Sequence, residues 1–208
     1  MFSKLLAKQL SRPSMVLGQL IFAPLWNRHN LALNDLTLQQ LNLQSNDHVL
    51  EVGFGGGYLL GKMMSTLTFG SLAGVDNSKA MVRFCEKRYR SFIRSGKLAL
   101  QHASAEQLPY ADNRFTKVCS VNSIFYWPDA RCAIGEFWRV LCEAGLLILC
   151  FTSKESLARR NFSKQGLKLY DQNEVVEMME RVGFRQVKAQ RAQDRQRTFW
   201  CISGVKLP

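Results

Sequence analysis

Short apolar runs alternate along this chain with longer stretches in which apolar residues recur every three or four positions. The first pattern predicts strands and the second amphipathic helices. Strands are predicted over 48–53, 72–76, 97–102, 117–121 and 146–151, and two alternating segments, 184–192 and 198–205, close the chain. Helices are predicted over 58–67, 130–141 and 171–182, and from Ser78, placed to cap, to about residue 94. Asp171 and Glu174 stand at capping-box spacing, and Gly183 supplies the stop. Ahead of this regular part, helices are predicted over 2–10 and 35–43, the first ended by Pro13. The stretch 152–170 has no clear period.

Five strand-and-helix alternations before a terminal pair of strands predict an α/β fold. The expected architecture is a doubly wound, Rossmann-like, mostly parallel sheet with a terminal antiparallel strand and an N-terminal helical cap. The run 146–151 is apolar on both faces, as the interior of a parallel sheet requires. The domain division is then 1–46 for the cap or lid and 47–208 for the sheet domain.

Composition narrows the partners. With 208 residues, 47% apolar and 21% charged, the chain is long and apolar enough for a real core and is neither disordered nor collagen-like. Lys and Arg number 28 against 16 for Asp and Glu, a net +12 that calls for an anionic partner. Six cysteines form no CxxC pair and have no histidine at metal spacing, so they read as small buried hydrophobes in a reducing compartment, with no metal site. The greasiest run, 15–26, is broken by Gly18, Gln19 and Pro24 and falls short of the ~20 residues of a span. A soluble cytoplasmic chain with a membrane-peripheral option is expected.

The sharpest chemical signal is Val49-Leu50-Glu51-Val52-Gly53-Phe54-Gly55-Gly56-Gly57, a strand that runs through glycines into a helix. Gly53 permits a tight turn, Gly55 lets a ligand approach the backbone, and Gly57 lets helix pack on strand. Asp76 follows at the end of the second strand, 23 residues beyond Gly53, where a carboxylate can accept from ribose hydroxyls. The spacing is GxGxG, and Glu51 precedes it. An anion there repels a pyrophosphate and attracts a cationic ligand.

These residues resemble the class I S-adenosylmethionine-dependent methyltransferases, of the small-molecule type that includes the ubiquinone and menaquinone C-methyltransferases. VLEVGFGGG is similar to the family's first motif and GVDNSKAM to its second. AEQLPYADNRFTKV resembles the stretch across the third and fourth strands, EFWRVLCEAGLLIL the segment often written RVLKPGG, and Val182-Gly183-Phe184 the end of the last helix. The likeness covers about 48–192. It implies S-adenosyl-L-methionine as cofactor, with Gly53, Gly55 and Gly57 beneath its methionine portion and ribose and Glu51 toward its amino end. It further implies Asp76 on the ribose, Asn77 and Met81 along the adenine, Ala105 and Glu106 on the other adenine face, and Asn122 beside the sulfonium. Ser104 stands where the family usually has an aspartate that accepts from the adenine amino group, and Thr116 replaces an aspartate of the fourth strand. Cys142-Glu143-Ala144-Gly145 replaces a Lys-Pro-Gly-Gly turn. Weaker cofactor affinity is expected from these departures.

A sulfonium methyl is already activated, so positioning and desolvation can supply most of the rate of an in-line displacement. A base is needed only where the nucleophile must lose a proton. The segment Asn122-Ser123-Ile124-Phe125-Tyr126-Trp127 should face the methyl, with Tyr126 and Trp127 as an aromatic wall and Tyr126 as a donor. His29, in a polar stretch ahead of the fold, is the candidate base; His48 and His102 read as structural. Residues 1–34 carry Lys4, Lys8, Arg12 and Arg28 with no acid among many apolar residues, which suits a small amphiphilic or anionic acceptor, such as a lipid or quinone, at an anionic membrane surface. A nucleic-acid methyltransferase, drawing on the basic run from Lys79 to Lys97, and an inactive methyltransferase-like binding protein are the alternatives.

Overall fold

The computed structural model describes residues 30–159 and 167–207. The predicted helix over 2–10 and His29 lie outside these residues. Among them the chain forms α1 (Leu31–Leu41), β1 (His48–Val52), α2 (Tyr58–Met63), β2 (Ser71–Asp76), α3 (Lys79–Arg88), α4 (Arg90–Arg94), β3 (Leu98–His102) and β4 (Phe115–Val121). A 3-10 turn (Ile124–Tyr126) leads to α5 (Ala130–Val140), β5 (Leu141–Thr152), α6 (Lys154–Ala158), α7 (Gln172–Val182), β6 (Arg185–Gln193) and β7 (Thr198–Val205).

The seven strands form one sheet in the order β3-β2-β1-β4-β5-β7-β6. The pairs from β3 through β5 are parallel, and β7 joins β5 and β6 antiparallel. The chain reverses direction of progress between β1 and β4, and in a doubly wound sheet ligands bind outside the carboxyl ends of the strands at such a point. Alternation along each strand divides the core in two. Leu50, Val52, Val118, Leu147 and Leu149 face α5 and α7, while Val49, Cys119, Val121, Ile148 and Cys150 face α1, α2 and α3.

Several element edges differ from the sequence pattern for identifiable reasons. Helix α1 starts at Leu31 and leaves Asp35 exposed in mid-helix; Asn42, in the left-handed conformation, stops it by donating its N–H to Leu38 O. Its Leu33, Leu36 and Leu41 belong to the sheet's own core, each contributing about 1.5–3 kcal/mol of burial. This described part of the N-terminal segment therefore packs on the domain as one of its layers. The helix capped by Ser78 ends at Arg88 and resumes at Arg90, because Tyr89 departs from helical geometry. Strand β5 begins five residues early, at Leu141, through a register shift opposite Phe115–Lys117. The capping box of Asp171 and Glu174 is formed, with each side chain accepting from the other's backbone N–H.

All six cysteines are free, and Cys85, Cys119, Cys150 and Cys201 are buried. No helix among the described residues is long and apolar enough to cross a membrane, and no His, Cys, Asp or Glu cluster there could hold a metal ion.

Candidate active site

The glycine loop leaves β1 with Gly53 N donating to Val75 O at 2.7 Å, which ties it to the neighbouring strand. The three glycines then do different things. A Cβ on Gly53 would meet Ser123 Cβ at 2.5 Å, and one on Gly57 would meet Cys85 Sγ at 2.8 Å and the Tyr89 ring at 2.9 Å. Both are needed for close approach of protein to protein. Gly55, with φ +49°, has nothing within 4 Å of where its Cβ would lie. Its open side is the cradle that a ligand would fill.

Asp76 completes that cradle from the end of β2. Its Oδ2 accepts from Gly55 N at 2.8 Å and its Oδ1 from Ser78 N at 2.9 Å. Burial raises its pKa, against the pull of those two N–H groups and of His102. Helix α3 and the residue that ends it hold the loop: Tyr89 Oη donates to Gly57 O at 2.7 Å and Cys85 Sγ to Gly55 O at 3.4 Å. The sequence pattern assigns Tyr89 no role, and the signal that could have found this pair is the four-residue spacing of Cys85 and Tyr89 at the end of α3.

Glu51 lies under the same loop, 3% exposed, and its Oε2 has no hydrogen-bond partner. Burial first, and the like charge of Asp76 second, hold its carboxyl well above the ordinary range, although Leu60 N–H favours the ionised form. Two carboxylates therefore stand below and beside an open backbone cradle, close enough to repel one another. That donor set fits a cationic ligand and resists a pyrophosphate.

The remaining predicted residues occupy varied settings. Asn77 is exposed, and its carbonyl accepts from His102 Nε2 at 3.0 Å; His48 Nδ1 pairs with Ser71 Oγ at 2.8 Å. Met81 is buried at 2% exposure and Ala105 at 7%. Ser104 is exposed and donates its hydroxyl to Glu106 Oε2, which leaves the Ser104 oxygen able to accept from a ligand. Tyr126 is half-buried, and burial pushes its phenol up to about 12, so at neutral pH it is a donor and not a base. Trp127 is not part of an aromatic wall: it is 7% exposed and packs edge-on against Phe137 at 5.2 Å, as Phe125 does against Phe151 at 6.3 Å. Thr116 is likewise displaced from its expected relevance. It lies at the opposite end of the sheet, where its Oγ1 donates to Asp47 Oδ1 at 2.8 Å beside the 2.6 Å Lys117–Asp47 ion pair. Its replacement of an aspartate does not touch the carboxyl edge.

Asn122, just past β4, has φ +54°. Its Oδ1 accepts from Thr152 N at 2.8 Å, and its Nδ2 donates to Asn30 Oδ1 at 2.8 Å. Arg197, in the β6–β7 turn, reaches the same group: Nη1 donates to Thr152 Oγ1 at 3.1 Å and Nη2 to Asn30 Oδ1 at 3.0 Å. Neither Asn30 nor Arg197 was found from sequence, since Asn30 meets Asn122 across 92 residues of chain and Arg197 meets Asn30 across 167, and neither belongs to a local motif.

A glycine loop at the switch point with a carboxylate at the end of β2 marks a doubly wound α/β domain, and comparison with known proteins narrows its class. Residues 50–149 match the family model described as a methyltransferase domain. The protein named uncharacterized methyltransferase YdaC of Bacillus subtilis is 31% identical over 127 residues, covering 61% of this chain and 68% of that protein. The demethylmenaquinone methyltransferase of Oceanobacillus iheyensis is 26% identical over 133 residues, covering 64% and 55%. In fold, a SAM-dependent methyltransferase from Aquifex aeolicus superposes with a TM-score of 0.69 at 16% identity, covering 84% and 89%. The chain belongs to the S-adenosylmethionine-dependent methyltransferase family, and S-adenosylmethionine is its cofactor.

Proposed function

We propose that the protein transfers a methyl group to a small amphiphilic or anionic acceptor and that the cradle over Gly55 is the cofactor site. The observation that carries this reading is the open side of Gly55 between the buried carboxylates of Glu51 and Asp76. When bound, S-adenosylmethionine supplies a methyl on a sulfonium, open to direct in-line displacement.

The chain's own residues bind, orient and exclude water. Gly55 gives backbone access, with Gly53 and Gly57 fixing the loop's path. Asp76 has lone pairs left for two ribose hydroxyls, and Glu51 places negative charge beneath the cationic end. Asn77, Met81, Ser104, Ala105 and Glu106 enclose the base, the Ser104 oxygen standing in for the usual carboxylate. Asn122 borders the reacting end, and Tyr126 donates to the acceptor. The basic and apolar stretch ahead of α1 serves as a lid, with His29 as the base where one is required, while α1 itself is a layer of the core. A lipid or quinone acceptor and peripheral contact with an anionic membrane fit that segment's composition and the name of the Oceanobacillus relative. The basic residues of α3 and α4 are exposed, which suits a solvated face better than a nucleic-acid groove.

Calorimetric titration of stripped protein with S-adenosylmethionine, S-adenosylhomocysteine and, as control, a nicotinamide dinucleotide tests the cofactor site. Binding of the first two alone is expected, and binding of the dinucleotide alone would overturn the placement. Acceptors are then screened among quinols, lipids and RNA, and sedimentation with phosphatidylglycerol vesicles against neutral ones tests the membrane contact.

A further inference from the structure

At the carboxyl ends of β4 and β5 a closed ring of hydrogen bonds runs through Asn122, Thr152, Arg197 and Asn30, which come from separate stretches of the chain. Its polarity is forced at each member. An arginine can only donate. Thr152 Oγ1 therefore accepts from Arg197 Nη1 at 3.1 Å and gives its own hydrogen to Asn122 Oδ1, also at 3.1 Å. The Thr152 backbone N–H reaches that same Oδ1 at 2.8 Å. On the other arm Arg197 Nη2 donates to Asn30 Oδ1 at 3.0 Å, which turns this oxygen toward Asn122 Nδ2 at 2.8 Å. Both ends of the Asn122 amide take their orientation from one guanidinium.

The setting shows what the ring holds. Asn122 has φ +54°, a conformation that a side chain strains, and strain of this kind persists only where the surroundings over-determine it. The next residue, Ser123, packs so closely on the root of the glycine loop that a Cβ on Gly53 would lie 2.5 Å from its own. Asn30 is the N-cap residue of α1, where an asparagine ordinarily caps its own helix, yet its side chain makes no cap hydrogen bond. It serves Asn122 and Arg197 instead. Thr152 is 1% exposed and the Arg197 side chain 8%, so loss of one member leaves a shielded partner unsatisfied. Arg197 is also ion-paired with Asp194, Nε to Oδ2 at 3.5 Å, which suits a group that orients other side chains and not one that receives a ligand.

We infer that Arg197 is a positioning residue of the methyl-transfer site. Through Thr152 and Asn30 it fixes the amide and the left-handed backbone of Asn122, and with them the path of residues 123–126 as they leave β4. The β6–β7 turn and the start of α1 then belong to the site, although neither contains a motif. This role rests on the reading of Asn122 as the border of the sulfonium end.

S-adenosylmethionine and S-adenosylhomocysteine differ only by the methyl group and the charge it places on sulfur, so the ratio of their affinities, measured by calorimetry on the full chain, reports on that end. Asn30→Ala cuts one arm with no helix cap to lose. Thr152→Val cuts the hydroxyl of the other and keeps its shape and its N–H. In each, S-adenosylmethionine affinity should fall at least about fivefold relative to S-adenosylhomocysteine, with little change of Tm in Asn30→Ala. Arg197→Lys, which keeps the charge and loses the planar fork, should act in the same direction, and Thr152→Ser should keep the wild-type ratio. Asn30 is half-buried at the start of its helix, so its variant gives a reading even where Thr152→Val fails to fold. A wild-type ratio in Asn30→Ala and Arg197→Lys, whatever their Tm, overturns the inference and leaves the ring a structural tie. Binding of neither ligand by the wild type sinks the cofactor placement and the positioning role with it, whereas binding of both with an unmoved ratio sinks the positioning role alone.

Discussion

Over β1 and β2 the carboxyl edge presents Glu51 and Asp76, both buried, both with raised pKa, around a backbone cradle. Over β5 and the β6–β7 turn the same edge presents Arg197 and Arg159 around a polar cavity, with Asn122, Thr152 and Asn30 between the two. One half carries two buried carboxylates and the other two guanidinium groups, and the neutral cluster of Asn30, Asn122 and Thr152 lies between them. A methyl donor is cationic, so the carboxylate half is the one matched to it. The chain's excess of basic residues then has a local meaning besides its overall sign: none of it enters the described surroundings of the glycine cradle closely enough to pair with Glu51 or Asp76.

The largest effect on this contrast should come from Gly55→Val. The new side chain enters the open side of the cradle, and at φ +49° it costs the fold about 1–2 kcal/mol. S-adenosylmethionine binding is expected to fall by more than 100-fold while circular dichroism and a cooperative melt are retained. Tight binding by a folded variant would move the cofactor elsewhere. Asp76→Ala comes next. It removes the carboxylate offered to the ribose, and affinity should fall by about 1–3 kcal/mol. Unchanged cofactor affinity would contradict the ribose placement.

The two carboxylates also predict a pH signature. Each binds its proton more tightly folded than unfolded, so between the ordinary carboxyl pKa and the raised one the folded chain carries more protons. Their contribution to stability is therefore complete at low pH and is lost as pH rises through the raised values. Glu51→Gln should melt higher than wild type toward alkaline pH, and the difference should shrink as pH is lowered. A cationic ligand favours the ionised forms, so S-adenosylmethionine affinity should rise over the same interval and do so less in Glu51→Gln. A pH-independent difference in melting would mean that Glu51 is not the group titrating.

How far this division was legible in the sequence follows from the range of the interactions that make it. The strand that ends in glycines and the acid after the second strand are local patterns, and the parallel sheet with its antiparallel end follows from the alternation of periods. Element edges were less legible, because Asn42 and Tyr89 end helices by backbone conformation and not by any breaker residue. The motif analogy also gave equal weight to Ser104 and Thr116, yet the fold puts Thr116 with Asp47 at the amino end of the strands. The cationic half was invisible. Arg197 meets Asn30 only because the β6–β7 hairpin returns beside β5 and α1 packs across the same edge.

The smallest expected effect supplies the control, a change at neither half. Ala144 sits near the start of β5 with φ +58°, where a glycine is usual in the resembling families, and its N–H donates to Lys206 O at 2.7 Å. Lys206 in turn closes this amino edge, its Nζ donating to Leu141 O and Asn113 Oδ1, each at 2.8 Å, and to Trp138 O at 2.9 Å, over the Trp138 ring. A left-handed alanine is strained by its Cβ, and glycine removes that strain while giving the unfolded chain more freedom. Relief should outweigh the entropy cost, so Ala144→Gly is expected to stabilise the protein by about 0.5–1 kcal/mol. A few degrees' rise in Tm by calorimetry, with S-adenosylmethionine affinity unchanged, would show that the amino edge sets stability independently of the charged carboxyl edge. A shift in that affinity would mean that strand β5 transmits strain along its length, and the two ends of the sheet would have to be treated as one coupled unit.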